Sequence, residues 1–345
     1  MSDLIVRKVG RAGHVTLNRP QALNALTHPM CLDLEAAMYD FAADDDVSLL
    51  LIDAAGEKAF CAGGDIVKIY NEGKSGEVKN ALKFWRDEYR LNHAISTYAK
   101  PYVAIMDGIV MGGGVGISAH GSHRVVTERT MFAMPECAIG LIPDVGGTHL
   151  LGKMPGACGE YAGLTGARLS GADCIYTGVA DYFVPSDKLV SLKAALLETG
   201  DVAVLQDYAM VPECSTLAEN RKAIDAIFGQ GDVSDIMQAL ETDPSDFAKS
   251  ALKGALRGAP LCLKTTLAAV RTARQNGSLE MALRNEYRIV STCLQDGELV
   301  EGIRAAVIDK DRAPKWKYPT LESVPQSMID RLYQSAADGD FAVVT

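Results

Sequence analysis

The chain has 345 residues, 48% of them hydrophobic and 23% charged, the balance of a globular protein with a substantial core. Its formal net charge is -10, with a pI near 5.2. That balance argues against nucleic acid as the main partner, because phosphate backbones are met by basic surfaces. An anionic small molecule stays open, since a few local cations or a helix N-terminus can hold a phosphate on an acidic protein. The eight cysteines (Cys31, Cys61, Cys137, Cys158, Cys174, Cys214, Cys262 and Cys293) stand singly and are too dilute for a disulfide framework. They read as reduced packing thiols. None of the six histidines falls in an HxxxH or HxxEH pattern, so no metal site is expected. Leu4-Ile5-Val6 is too short for the apolar region of a signal peptide, and no apolar run reaches membrane-spanning length. The expectation is a soluble cytoplasmic protein with no membrane partner, and a processed mitochondrial form would look the same.

Leu4 to Val9 and His14 to Leu17 read as a hairpin around Gly10 to Gly13. A helix follows, capped by Thr27 with Pro29 in its first turn, and Leu34, Ala37, Met38 and Phe41 recur at helical spacing on its core face. Leu49 to Ile52 is a buried strand ended by Asp53-Ala54-Ala55-Gly56, and Tyr102 to Met106 is another, entered through Pro101. Between them, about Lys79 to Tyr98 reads as a helix, and after the second strand Val115 to His120 reads as a shorter one. Strand, glycine-bearing loop and helix thus recur before residue 120, which favours an α/β core. From about Lys188 the texture becomes helical, as in Ser245 to Gly254 and Ser278 to Asp296, with a linker-like break around Val211 to Ser215. The division read from this is a core over 1–190 and a mainly helical region over 191–345. The tail after Val324 is polar and small-residue-rich, and its end is expected to be poorly ordered.

Three segments carry chemistry. Ala59-Phe60-Cys61-Ala62-Gly63-Gly64-Asp65 follows a strand, and paired glycines let a backbone N–H approach a ligand; a plain tight turn explains them equally well. Asp107 to Gly116 holds Gly112-Gly113-Gly114 just before a helical stretch, which puts unpaired N–H groups where negative charge is favoured. A dinucleotide fingerprint starting at Gly112 fails because Ile117 stands where glycine is needed. A phosphate loop at Gly147 to Lys153 fails because Met154 replaces the Ser or Thr and no strand is predicted before it. The third segment, Phe132 to Gly147, sets Glu136 and Asp144 eight residues apart in an apolar loop punctuated by Pro and Gly. Carboxylates there are costly unless paired, solvated or in use, and burial would raise a pKa toward neutrality, which suits acid–base work. An isolated Glu more often just caps a turn, but two carboxylates beside a glycine anion site shift the balance. Glu88 is a further candidate, on a stripe with Phe84, Leu91 and Ile95, although its neighbours Arg86, Asp87 and Arg90 fit a solvated face almost as well. Two backbone donors on separate loops plus a carboxylate describe an oxyanion hole with a base, usable wherever charge develops on a carbonyl oxygen.

Asn18 to Leu26, Ala59 to Ile66, Lys100 to His120 and Phe132 to Gly147 together resemble the crotonase (enoyl-CoA hydratase/isomerase) superfamily. Within it the chain is most similar to the 3-hydroxyisobutyryl-CoA hydrolase branch. Further marks are Glu286-Tyr287-Arg288, Glu301 to Ala305, and Ile308 to Lys317, and the likeness covers most of the chain, weakest at 190–255. The resemblance implies a spiral of β-β-α repeats followed by a mainly α-helical C-terminal region. It puts the oxyanion hole on the N–H groups of Gly64 and Gly113, the catalytic carboxylates on Glu136 and Asp144, and a substrate-contacting glutamate on Glu88. It implies an acyl-CoA substrate with no cofactor beyond it, and is compatible with a homo-oligomer. The expected reaction is hydrolysis of 3-hydroxyisobutyryl-CoA, a step of valine breakdown. Hydratases of the family usually carry a second catalytic Glu where this chain has Gly116, a departure that disfavours water addition. Two rivals are kept: an enoyl-CoA hydratase/isomerase using Glu136 and Asp144, and a non-catalytic acyl-CoA-binding protein.

Overall fold

The computed structural model describes residues 2–336 and 338–342. By their internal contacts they form two compact units whose segments interleave: 1–64, 87–132 and 168–218 in the first, and 65–86, 133–167 and 219 onward in the second.

The first unit holds all the strand residues but Ala133, which ends the strand Met131–Ala133. β1 (Leu4–Val9) and β2 (Ala12–Leu17) form the expected hairpin, its ladder running from Val9 opposite Ala12 to Leu4 opposite Leu17, so β2 starts two residues before His14. β3 (Leu49–Ala54) joins β2 in parallel. The strands that follow are β4 (Ala59–Cys61), β5 (Tyr102–Met106), β6 (Ile109–Met111), β7 (His123–Val126), β8 (Met131–Ala133), β9 (Leu169–Ser170) and β10 (Tyr182–Phe183). They make a six-stranded sheet in the order β1-β2-β3-β5-β7-β10 and a four-stranded sheet in the order β4-β6-β8-β9. In the larger sheet every pairing but β1–β2 is parallel. Alternate residues Leu49, Leu51, Val103 and Ile105 share one face and pack with Leu192 and Leu196 of helix Leu189–Thr199. Leu50, Ile52 and Ala104, of the opposite parity, are buried as well. Burial of both faces explains why these strands read as unbroken apolar runs rather than as alternation.

Helix His28–Ala43 starts as expected, with the Thr27 side chain accepting from Met30 N, and it buries Leu34, Ala37, Met38 and Phe41. Helix Lys79–Ser96 ends two residues short of Tyr98. The stretch expected to be helical over 115–120 differs more: its helix is Gly113–Gly116 alone, beginning within the glycine triplet.

In the second unit, helix Pro260–Asn276 packs against helices Gly147–Lys153 and Cys158–Thr165, and Arg274 grips the buried Glu160 through both terminal guanidinium nitrogens. The near-miss phosphate loop is thus a core helix. The expected helical stretches appear as Asp246–Ala255 and Leu279–Asp296. The tail after Val324 belongs to this unit. It forms helix Gln326–Leu332, and Phe341 is buried, because Arg86 donates to the carbonyls of Gly339 and Asp340 while Arg288 pairs with the Asp340 carboxylate. The expected loose end also concerns 343–345, which lie outside the described residues. Among the described residues no helix is long and apolar enough to cross a membrane.

Candidate functional site

Gly64, Gly113 and Glu88 lie in the first unit, Glu136 and Asp144 in the second. Each set has its own local architecture.

After β4 the chain must turn while leaving an amide exposed. Segment 18–26 fixes that turn: Asn24 Nδ2 donates to the carbonyls of Ala55 and Ala59 (2.9 Å each), Ala62 N donates to Leu23 O (3.1 Å), and Leu26 N donates to Gly63 O (2.8 Å). After β6 the glycine triplet presses against the same turn. A Cβ on Gly114 would lie 2.4 Å from Cys61 O, and one on Gly113 would lie 2.7 Å from Glu88 Oε1 and 3.5 Å from Gly64 N. Only glycine permits this approach. It brings the backbone at 113, the amide of 64 and the carboxylate of 88 into one small volume. Among the described residues neither Gly64 N nor Gly113 N donates a hydrogen bond, although buried backbone donors are nearly always paired. Two unclaimed amides side by side, one of them opening a short helix, suit an oxygen that carries negative charge.

Glu88 is 3% exposed, so it is buried rather than on a solvated face. The charges beside it are absorbed elsewhere: Asp87 pairs with His28 and Arg90, and Arg90 also grips Glu35. Burial, assisted by Glu88, pushes the Cys61 thiol up to about 12, so the cysteine of this loop is protonated and is a packing group rather than a nucleophile. One turn beyond Glu88 stands Asn92, which sequence reasoning passed over. It is 0% exposed, and neither its Nδ2 nor its Oδ1 has a hydrogen-bond partner among the described residues. An amide so placed costs about 1–3 kcal/mol. Its four-residue spacing from Glu88 was the available signal, a second polar side chain on an apolar stripe.

In the second unit Glu136 opens a tight turn, Glu136–Ile139, closed by Leu141 N donating to Glu136 O (3.1 Å). The side chain does not serve the turn. It is 6% exposed, and Oε2 has no hydrogen-bond partner among the described residues. Burial, with smaller contributions from Asp144 and Glu286, holds its carboxyl well above the usual range. Asp144 is also buried, in a loop where Val145 (φ 53°) and Gly146 (φ 79°) take left-handed conformations and Gly147 N donates to Asp144 O (2.6 Å). Left-handed backbone at a β-branched valine is strained and needs support. Glu286 supplies it: its carboxylate accepts from Gly146 N (2.7 Å), Thr148 N (2.9 Å) and the Thr148 hydroxyl. Burial pushes the Glu286 carboxyl up to about 7 despite these hydrogen bonds, and Asp144 adds to the rise. Three carboxyl groups (Glu136, Asp144 and Glu286) therefore influence one another electrostatically. Such a cluster retains protons at pH values where exposed carboxylates are ionised. Glu286 belongs to a motif that carries the resemblance, but nothing in the sequence ties it to the Asp144 loop.

The chain matches the family model described as enoyl-CoA hydratase/isomerase over residues 12–333. It is 42% identical to the 3-hydroxyisobutyryl-CoA hydrolase, mitochondrial, of Danio rerio, covering 98% of this chain and 91% of that protein. The Homo sapiens protein of the same name is 39% identical, with 98% and 90% covered. Among solved structures, an enoyl-CoA hydratase from Rhodobacter sphaeroides 2.4.1 superposes with a TM-score of 0.93 at 42% identity, covering 99% of this chain and all of that one. A carnitinyl-CoA dehydratase from Mycobacterium thermoresistibile superposes with a TM-score of 0.95 at 44% identity, with 99% of each chain covered. With its parallel sheets, its fold and nearly its whole length shared with these proteins, the chain belongs to the enoyl-CoA hydratase/isomerase (crotonase) family.

Proposed function

We propose that this protein hydrolyses the thioester of a short branched 3-hydroxyacyl-CoA, with 3-hydroxyisobutyryl-CoA as substrate and 3-hydroxyisobutyrate and free coenzyme A as products, as in valine breakdown. The observation that carries the reading is the pair of unclaimed amides at Gly64 and Gly113. They would accept the carbonyl oxygen as it becomes a tetrahedral oxyanion, and losing one such donor costs roughly 3 kcal/mol of transition-state stabilisation. Glu136 would take a proton from water as its oxygen attacks the carbonyl carbon, a role open to a buried carboxyl whose proton affinity burial has raised. As the intermediate collapses the C–S bond breaks, and the proton returns to the departing thiolate with Asp144 assisting. Glu88 would meet the acyl hydroxyl. Water is the co-substrate, so the reading calls for no cofactor beyond the coenzyme A of the substrate. A reduced compartment suits the free cysteines. We place the protein in the cytoplasm or, as the names of its vertebrate relatives suggest, in mitochondria.

Relatives of similar identity bear the names of a hydrolase, a hydratase and a dehydratase. What favours hydrolysis is position 116, a buried glycine where hydratases of the family usually carry a second carboxylate. The test is to supply 3-hydroxyisobutyryl-CoA and crotonyl-CoA separately. Free thiol released from the former, with the conjugated absorbance of the latter unchanged, is expected; the reverse result makes the protein a hydratase. A single turnover in ¹⁸O-water leaves Glu136 unlabelled if it activates water, whereas label in its side chain marks it as the attacking nucleophile.

A further inference from the structure

We propose that Glu286 is a positioning residue for the reaction, holding the loop that carries Asp144 in the conformation in which Asp144 works. The inference rests on the hydrolase reading above only for the role of Asp144; the bond pattern stands apart from it.

Glu286 sits on helix Leu279–Asp296, some 140 residues from the loop, and is 0% exposed. It takes up both backbone amides that flank position 147, together with the Thr148 hydroxyl. The first of these amides belongs to Gly146, which with Val145 before it is in left-handed backbone, and the second follows two residues on. Such backbone persists only where its surroundings over-determine it. Gly147 N closes back onto Asp144 O, so the loop is pinned at 144 by its own turn and at 146 and 148 by Glu286.

The choice of side chain is informative. A tie that was only structural would be made more cheaply by a neutral group, because a buried carboxyl is expensive and Asp144 makes this one more so. A carboxylate, however, is acceptor-only and can receive three converging hydrogens. A glutamine would turn its NH₂ toward either Gly146 N–H or Thr148 N–H and leave the backbone donor on that side unmet. Glu286 therefore fixes where the Asp144 carboxyl points, while its own lone pairs are engaged on the loop.

The test compares Glu286→Gln, Thr148→Val and Asp144→Asn in the full chain, with thiol release from 3-hydroxyisobutyryl-CoA and hydrogen exchange of the 141–150 segment as readouts. Glu286→Gln is expected to lower kcat about 10- to 100-fold with KM changed less than about threefold, and to speed exchange at 146–148 at least about tenfold. Thr148→Val, which removes only the hydroxyl, should lower kcat by a smaller factor and serves if the first variant fails to fold. The double variant Glu286→Gln/Asp144→Asn should be no slower than Asp144→Asn alone, because a residue acting through Asp144 has nothing to act on once Asp144 is neutralised. Multiplying losses, or unchanged exchange in a folded Glu286→Gln protein, overturns the inference. A wild-type protein that releases no thiol but whose 146–148 amides are freed by Glu286→Gln would overturn the hydrolase reading and leave the loop-holding role intact.

Discussion

Two buried carboxylates, Asp53 in the first unit and Glu136 in the second, show how differently a protein can treat the same chemical group. Asp53 is 4% exposed, and its oxygens are filled: Thr16 donates to it (2.7 Å), Lys193 donates to it (2.8 Å), and His14 Nε2 lies 3.0 Å away. Burial alone would push its pKa up, but His14 and Lys193 outweigh burial and hold it at about 2. Glu136 is buried to nearly the same degree with an oxygen unclaimed, and the carboxyls near it raise its pKa further. A carboxylate whose lone pairs are full and whose charge is balanced ties β2, β3 and a helix together; one left unbalanced is available to a substrate. Glu286 is the intermediate case, with three hydrogen bonds to the Asp144 loop and a pKa that burial still raises.

The comparison is broken most directly at Glu136. Glu136→Gln should lower kcat for thioester hydrolysis about 10³- to 10⁴-fold while coenzyme A thioesters still bind. Its melting temperature should hold or rise, since a strained buried acid becomes a neutral amide. A marked loss of stability with activity retained would move Glu136 into the class of Asp53. Next in size is Gly113→Ala, whose Cβ would crowd Glu88 Oε1 at 2.7 Å and Gly64 N at 3.5 Å. About 10²- to 10³-fold loss of kcat is expected there, because the methyl displaces the oxyanion from both donors. Unchanged kcat would mean that no carbonyl oxygen visits these amides.

Much of this was legible along the chain because the relevant signals are local. The Thr27 cap, the apolar runs of β3 and β5 and the glycine triplet each express themselves within a few residues, and Glu136 and Asp144 stood out as acids in an apolar loop. The glycine triplet nevertheless misled the helix reading, because it opens the helix at 113 and allows it only one turn. The two-residue strands β9 and β10 exist only through their partners, Met131 and Phe132 for the one, Val125 and Val126 for the other, so no local period announces them. The grip of Glu286 on 146–148 and of Arg86 on the tail join residues more than a hundred positions apart, a range at which a single sequence carries no pairing information. Asn92 was within reach: the stripe that exposed Glu88 passes through it.

Titration sharpens the contrast with less effect, because Glu286 and Asp53 should bend the stability curve in opposite directions. Unfolded, Glu286 ionises near 4.5; folded, it keeps its proton to about 7. Between these pH values the folded state binds more protons than the unfolded one, so its contribution to stability falls as pH rises from about 4.5 to about 7. Glu286→Gln should flatten that limb in part, the remainder belonging to Glu136, whose pKa is raised in the same sense. For Asp53 the sign reverses. Its folded pKa of about 2 lies below the ordinary aspartate value, so its contribution is complete above about 4 and disappears as pH falls toward 2. The size is about 2 kcal/mol, the free energy of ionising a carboxyl near 2 rather than near 4. Denaturant titrations of wild type and Asp53→Asn at pH 6 and pH 3 read it directly: the variant should be weaker at pH 6, and the gap should narrow at pH 3. A gap that stays constant with pH would show that Asp53 holds β2, β3 and the Lys193 helix together through packing and hydrogen bonds alone, and that its charge contributes nothing.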